Sequence, residues 1–261
     1  MPVTRDFSSS VSIELDTPID LPETYVEKHK VLSEEDRLIH VSFRGERLFS
    51  VLVPRNVFNP YKGIAANKLI ELILCGQIQV ENKRVVDLGC GSGVIGFACI
   101  HTGSSSVLFT DINPNIKPLA KNPLFRNVDV MKVQNLLEGE RDESYDVVIM
   151  STPTNMAAQD YEIHYDSFEA AIFRRENFLL EVIEQSARCL IPGGELTLWI
   201  KISHRGIVHY HELIMALNRH FDLNTMKIHA HALDSEVAIG KKGGNEEFSH
   251  IVFSVKKKRV L

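Results

Sequence analysis

Cysteine is scarce and scattered in this sequence, the excess of charge is negative, and no apolar run approaches bilayer-spanning length. The four cysteines, Cys75, Cys90, Cys99 and Cys189, lack CxxC spacing and sit in or beside apolar runs. That pattern argues against a disulfide framework or a structural zinc site and fits reduced thiols in a reducing compartment. Lysine and arginine number 29 against 34 aspartates and glutamates, a net charge of −5. No global positive field exists to hold a polyanion, so a nucleic-acid partner is disfavoured. A membrane span needs roughly 20 apolar residues, and the opening MPVTRDFSSS holds no apolar leader segment. The expectation is a cytoplasmic protein with no membrane partner.

What is present is the composition of an ordinary globular chain. Hydrophobic residues make up 44% and charged ones 24% of 261 residues, with 15 glycines and 10 prolines, which excludes collagen-like, low-complexity and wholly disordered chains. The length suits one large α/β domain with a small appendage. Residues 1 to about 37 show no convincing period and read as an arm or short helical appendage. LIHVSF, the turn pair Arg44-Gly45 and ERLFSVLVP read as a β-hairpin ending at Pro54. A boundary is expected there, with an arm and hairpin over 1–54 and the main domain over 55–261.

Within the main domain, Ile64, Leu69, Ile70, Leu72 and Ile73 predict a helix between Gly63 and Cys75. Short aliphatic runs then follow at RVVDL (84–88), SVLFT (106–110), VDVMKV (128–133), YDVVIM (145–150) and ELTLWI (195–200). Most are separated by helix-length segments, the pattern of an α/β protein with a doubly wound, mostly parallel sheet. Residues 167–190 read as one helix stopped at Pro192-Gly193-Gly194. Residues 207–221 read as the next helix, and 226–230 and 249–255 as two closing strands.

The strongest local signal is VVDLGCGSGVIGFACI, 85–100. A strand leads into Gly89, Cys90, Gly91 and Gly93 and then a helix, and glycines there allow a sharp turn and close backbone approach to a ligand. The same stretch contains a formal GxGxxG from Gly91 to Gly96, so NAD competes with an adenosine-like cofactor of another kind. Asp87, two residues before the first glycine, would repel a pyrophosphate and suit a cationic ligand such as S-adenosylmethionine. Asp111 ends the second strand about 20 positions on, where a carboxylate accepts from ribose hydroxyls; this fits both cofactors. Ile112 beside it, and Asn135-Leu136 after the third strand, suit an adenine face and edge.

DLGCGSG, TDINP (110–114) and the PGG turn before ELTLWI together resemble class I S-adenosylmethionine-dependent methyltransferases over about residues 54 to 255. NVFNP (56–60), GSGVIG and a Pro-containing segment after the fourth strand are most similar to the group that methylates the glutamine amide of translation release factors. The resemblance implies a Rossmann-like, seven-stranded sheet with the last strand antiparallel, and S-adenosylmethionine as methyl donor. Methyl transfer from a sulfonium needs chiefly positioning and exclusion of water, because the leaving group is neutral. The strand ends of a doubly wound sheet are where ligands meet, which puts Ser151-Thr152-Pro153-Thr154 beside the methyl group. The similar family carries Asn-Pro-Pro-Tyr at this point. Ser151 stands for Asn, Thr152 for the first Pro, Pro153 matches the second, and Thr154 replaces Tyr. Ser151 can still bond a nitrogen nucleophile, and the Thr152 carbonyl remains available. Without the aromatic ring an aliphatic or small polar acceptor fits better than a stacked one.

Asn59, Pro60 and Tyr61 are expected over the methionine end of the cofactor and the substrate. The stretch from Asn155 to Asp166 is expected to wall the acceptor pocket, with His164 and Tyr165 as substrate contacts. Histidines at 204, 209, 211, 220, 229 and 231 lack a ligand constellation, so no metal is expected. The KKKR run at 256–259 reads as a solvated strand end, Lys241 to Gly244 as a hairpin loop, and Trp199 as core. The readings that stay open are a methyltransferase for a nitrogen of a small molecule or polypeptide, one for RNA or a ribosomal protein, an NAD-dependent oxidoreductase, and an inactive methyltransferase-like module. No feature of the sequence sets an oligomeric state.

Overall fold

The computed structural model describes residues 9–61, 63–153, 155–157, 160–203, 207–237 and 245–259. In chain order the elements begin with β1 (Val11–Leu15), α1 (Tyr25–Leu32), β2 (Arg37–Phe43), β3 (Glu46–Val53) and α2 (Ile64–Leu74). Next come β4 (Arg84–Leu88), α3 (Val94–His101), β5 (Ser106–Asp111), a 3-10 segment (Pro114–Lys121), β6 (Val130–Val133) and β7 (Tyr145–Ser151). The remainder is β8 (Asn155–Met156), α4 (Glu169–Ile172), β9 (Phe173–Arg174), α5 (Phe178–Cys189), β10 (Leu190–Ser203), α6 (Ile207–His220), β11 (Phe221–Val237) and β12 (Asn245–Lys257).

The hairpin expected before Pro54 is present as β2 and β3, turned at Arg44 (φ 52°) and Gly45 (φ 85°), the two positive φ values that match strand twist. The region before it is more than an arm. VSIEL forms β1, which pairs antiparallel with β2 in a three-stranded sheet. Val11 and Ile13 are buried while Ser12 and Glu14 are not. That alternation spans only five residues, and the strand exists because β2 offers an edge and α2 an apolar face.

The seven-stranded sheet has the order β11-β12-β10-β7-β4-β5-β6. β12 runs antiparallel to both β10 and β11, whereas β7, β4, β5 and β6 are mutually parallel, with β10 parallel to β7. Its strands are continuous apolar runs because both faces are covered. Val85, Val147 and Ile149 face one apolar cluster with α2, α3 and the three-stranded sheet. Val86, Val148 and Met150 face the other, with α5 and α6. From β4 the chain goes outward to β5 and β6, then returns to lay β7 on the other side of β4. The strand order therefore reverses between β4 and β7, and a crevice opens at their carboxyl ends.

The helix expected over 167–190 is broken. Only Phe178 to Cys189 is continuous helix, preceded by the single turn α4 and by β9, which pairs with β8. Phe173 and Arg174 have adequate helix propensity, but the two-residue pairing with Asn155 and Met156 takes precedence. The two late strands are longer than expected, Phe221–Val237 and Asn245–Lys257. The Lys241–Gly244 loop and Thr154 lie outside the described residues. No helix among the described residues is long and apolar enough to cross a membrane.

Candidate active site

Two aspartates organise the loop between β4 and α3. Asp111, at the end of β5, accepts the Gly91 amide on Oδ2 (2.8 Å) and the Asn113 amide on Oδ1 (2.9 Å). The Cys90 amide donates to the Thr110 carbonyl (3.0 Å), so the loop is stitched to β5 along its length. Gly89 has φ 66°, which favours glycine, and a Cβ there would sit 3.1 Å from the flexible end of the Met150 side chain. A Cβ at Gly96 would overlap the Phe109 ring. The last glycine of the formal GxGxxG is thus explained by helix-to-strand packing, not by a phosphate.

Asp87 corrects the sequence reading. It is 1% exposed and accepts the Gly96 amide (2.8 Å), so its carboxyl props the first turn of α3 from beneath and does not line the cavity. Burial pushes its pKa up to about 8, and the nearby Asp111 adds to the rise against the Gly96 bond. Buried beneath the α3 turn and outside the cavity lining, Asp87 makes no direct contact with the cavity. Burial also raises the Asp111 carboxyl, opposed by its amide bonds to Asn113 and Gly91.

Beside the loop, at the reversal of strand order, lies a cavity of about 520 Å³, within the size range of small-molecule sites. Gly89, Asp111, Ile112, Asn135 and Leu136 contribute from the β4 and β5 side. Leu136 sits at φ 48°, a conformation costly for a residue with a Cβ and one that persists only when neighbours enforce it. Here the Thr110 hydroxyl (2.8 Å) and the Gln134 amide (3.1 Å) both donate to its carbonyl. Ser151 and Pro153, at the end of β7, line the same cavity together with Tyr165. The Ser151 hydroxyl has no partner among the described residues.

Other expected site residues lie elsewhere. Thr152 is buried, and both its hydroxyl (2.8 Å) and its amide (3.1 Å) donate to the Trp199 carbonyl; its side chain anchors β7 to β10 and faces no ligand. Cys90, Gly91 and Gly93 shape the loop without lining the cavity, and burial drives the Cys90 thiol well above its usual range. His164 is exposed, its backbone bonds Glu169 and Ser167, and it stands outside the cavity lining. Asn59, Pro60 and Tyr61 also stand outside the lining. Asn59 is fully buried, with its side-chain Oδ1 accepting the Tyr61 amide (3.0 Å).

Even so, the segments around them are tied to the site. Asn113 donates to the carbonyls of Asn56 (2.8 Å) and Ser167 (3.2 Å), and Asn115 to that of Asp166 (2.7 Å). The TDINP loop therefore holds both the upstream segment and the end of the 155–166 loop against β5. The sequence reading missed the far wall, made by Phe173, Arg174 and Phe178 with Ala170 and Ala171. The run Phe173-Arg174-Arg175 breaks an amphipathic pattern, and that interruption was the one available signal.

Comparison with known proteins agrees with this architecture. A model of the methyltransferase small domain matches residues 69–229, more than half of the chain. A protein assigned as an N5-glutamine methyltransferase of Methanocaldococcus jannaschii is 31% identical over 93 residues, 35% of this chain and 47% of that one. The ribosomal protein L11 methyltransferase of Aliivibrio fischeri is 28% identical over 137 residues, 44% of this chain and 46% of that one. The chain spans about half the length of the curated relatives it matches. The T. thermophilus 16S rRNA N2 G1207 methyltransferase, solved with AdoMet and guanosine, superposes with a TM-score of 0.50 at 14% identity, covering 87% of this chain and 46% of that one. It shares the fold. The glycine loop, the reversed strand order and the matched family model together make this chain a member of the methyltransferase small domain family, on the Rossmann-like fold of class I methyltransferases.

Proposed function

We propose that this chain is an S-adenosylmethionine-dependent methyltransferase acting on a nitrogen of a small metabolite or of a polypeptide side chain. The observation that carries the reading is the single cavity shared by Gly89, Asp111 and Leu136 on one side and Ser151 and Pro153 on the other. The residues present fit the donor. Each Asp111 oxygen spends one acceptor site on a backbone amide and keeps another for a ribose hydroxyl. Leu136 and Ile112 offer apolar surface for a purine. Gly89 brings bare backbone to the cavity where a side chain would fill space.

When bound, S-adenosylmethionine supplies an electrophilic methyl on a positively charged sulfur. The chain's own residues then have a positioning task. Ser151 holds the acceptor nitrogen by a hydrogen bond at about 3 Å from the methyl, the near-attack separation. Pro153 and Tyr165 line the acceptor side of the cavity, where a bound acceptor displaces water. A neutral nitrogen needs no base to attack, and its proton leaves afterwards to solvent.

Two relatives carry names of methyltransferases for protein substrates, which favours a polypeptide acceptor over a nucleic acid. Calorimetry with S-adenosylhomocysteine and with NAD tests the reading. Binding of the first alone is expected; binding of NAD alone overturns it. Donor binding without turnover on any protein, metabolite or RNA panel would leave a binding module instead of an enzyme.

A further inference from the structure

Among the described residues, arginines that meet a neighbouring side chain as a rule meet a carboxylate, Arg44 over the Phe43 ring being an exception. Arg84 pairs with Asp146 (2.9 Å), Arg126 with Asp129 (2.7 Å) and Arg188 with Asp142 (2.8 Å). In each, the carboxylate hydrogen bond raises the guanidinium pKa. Arg174 departs from this rule. Its side chain lines the active-site cavity, is only partly exposed, and has no hydrogen bond or ion pair among the described residues. Burial lowers its pKa with nothing opposing.

The placement is fixed by the backbone. Arg174 pairs with Met156 across β8 and β9, and its carbonyl accepts the Ala157 amide (3.0 Å). Phe173 beside it packs on the Tyr161 ring at 5.0 Å between centroids. Glu138 and Glu181 line the same cavity but are exposed, and neither bonds Arg174; the Asn135 amide donates to Glu138 (3.0 Å). A desolvated guanidinium without a counter-charge is destabilising unless something else supplies the oxyanion. Its planar fork matches a carboxylate or phosphate bidentately.

We propose that Arg174 anchors an oxyanion, carboxylate or phosphate, carried by the acceptor molecule, which makes this a methyltransferase for an anionic substrate. This rests on the methyltransferase reading of the same cavity. The substrate class it names is an acid or phosphorylated compound, or a polypeptide presenting an acidic group near the methylated nitrogen.

The test follows the arginine Nε–H resonances by NMR while inorganic phosphate and acetate are titrated in separately, with and without saturating S-adenosylhomocysteine. The Arg174 signal, identified by its absence in R174K, is expected to shift saturably with one anion at millimolar concentration. R174M should bind that anion roughly tenfold more weakly, R174K less so, and both should keep their affinity for S-adenosylhomocysteine. Which anion shifts the signal distinguishes a carboxylate from a phosphate. No shift with either anion overturns the proposal. So does a signal moved by S-adenosylhomocysteine but not by methylthioadenosine, because the arginine would then hold the donor's own carboxylate. An Arg174-dependent anion site in a protein that binds no S-adenosylhomocysteine would keep the oxyanion anchor and remove the methyltransferase reading, so the two failures are separable. R174K carries the test if R174M does not fold.

Discussion

The two sides of the crevice differ in how far their polar groups are already satisfied. On the β4 and β5 side both Asp111 oxygens are bonded, the Leu136 carbonyl has two donors, and Asp87 has the Gly96 amide. On the β7 and β9 side, Ser151 and Arg174 reach the cavity without partners among the described residues. Where the chain satisfies its own groups the site is pre-organised and its shape is set by the fold. Where it leaves groups open, the missing partner belongs to a ligand. On the proposed function, the half expected to hold the donor is built in advance, and the half expected to hold the acceptor is completed by what binds.

The comparison breaks first at Gly96. Gly96→Val would drive two methyls into the Phe109 ring, and overpacking a filled core costs ~1–3 kcal/mol or more; a large fall in Tm or loss of soluble protein is expected. An unchanged melt would mean that α3 is free to shift, and the pre-organised half would not be one. Next comes Asp111→Asn. It exchanges a carboxyl that serves two amides, and on the proposed function a ribose, for a group with a single acceptor oxygen. Hydrogen bonds to charged groups contribute about 1.5–3 kcal/mol, so affinity for S-adenosylhomocysteine should fall roughly ten- to a hundredfold by calorimetry. Equal affinity would remove Asp111 from the cofactor site. Ser151→Ala should lower kcat about five- to tenfold with donor affinity intact, the loss of one hydrogen bond in the transition state. Thr152→Ala, whose hydroxyl is spent on the Trp199 carbonyl, should lower Tm and leave kcat nearly unchanged. If the two behave alike, Ser151 is structural as well.

These contrasts also explain what the sequence could reveal. β4, β5, β7 and β10 were legible because both of their faces are covered, which writes unbroken runs such as Val147–Met150 into the chain. β1 was not, since five residues of alternation carry little signal without the β2 edge that pairs with them. Phe173 and Arg174 were lost inside a helical composition because a two-residue pairing is a tertiary event that leaves no period. The place of Asp111 against the glycine loop was legible by its distance from the glycines. For Thr152 the expectation concerned its carbonyl; that its hydroxyl and amide both donate to the Trp199 carbonyl is a tertiary contact that no local sequence pattern announces.

Asp87 is the instructive failure, because a sequence displays a carboxylate's presence and not its solvation. As a bare charge it would favour a cationic ligand, yet burial raises its pKa to about 8, far above the ordinary ~3.9 of an unfolded chain. A carboxyl whose folded pKa is raised binds more protons folded than unfolded between those two values, so it makes stability fall as pH rises from about 4 to about 8. The neutral form is the one the fold prefers, and ionisation in a desolvated position beside Asp111 is the cost, offset in part by the Gly96 amide. Asp87→Asn keeps an acceptor for the Gly96 amide and removes the titration. Urea unfolding at pH 5 and pH 8 should therefore show a smaller loss of stability in D87N than in the parent, with S-adenosylhomocysteine affinity unchanged within about twofold. A D87N protein with an undiminished pH slope would mean that Asp87 is ionised in the fold. Its carboxylate would then be a charged neighbour of the donor after all, and the division between a closed donor half and an open acceptor half would lose its clearest member.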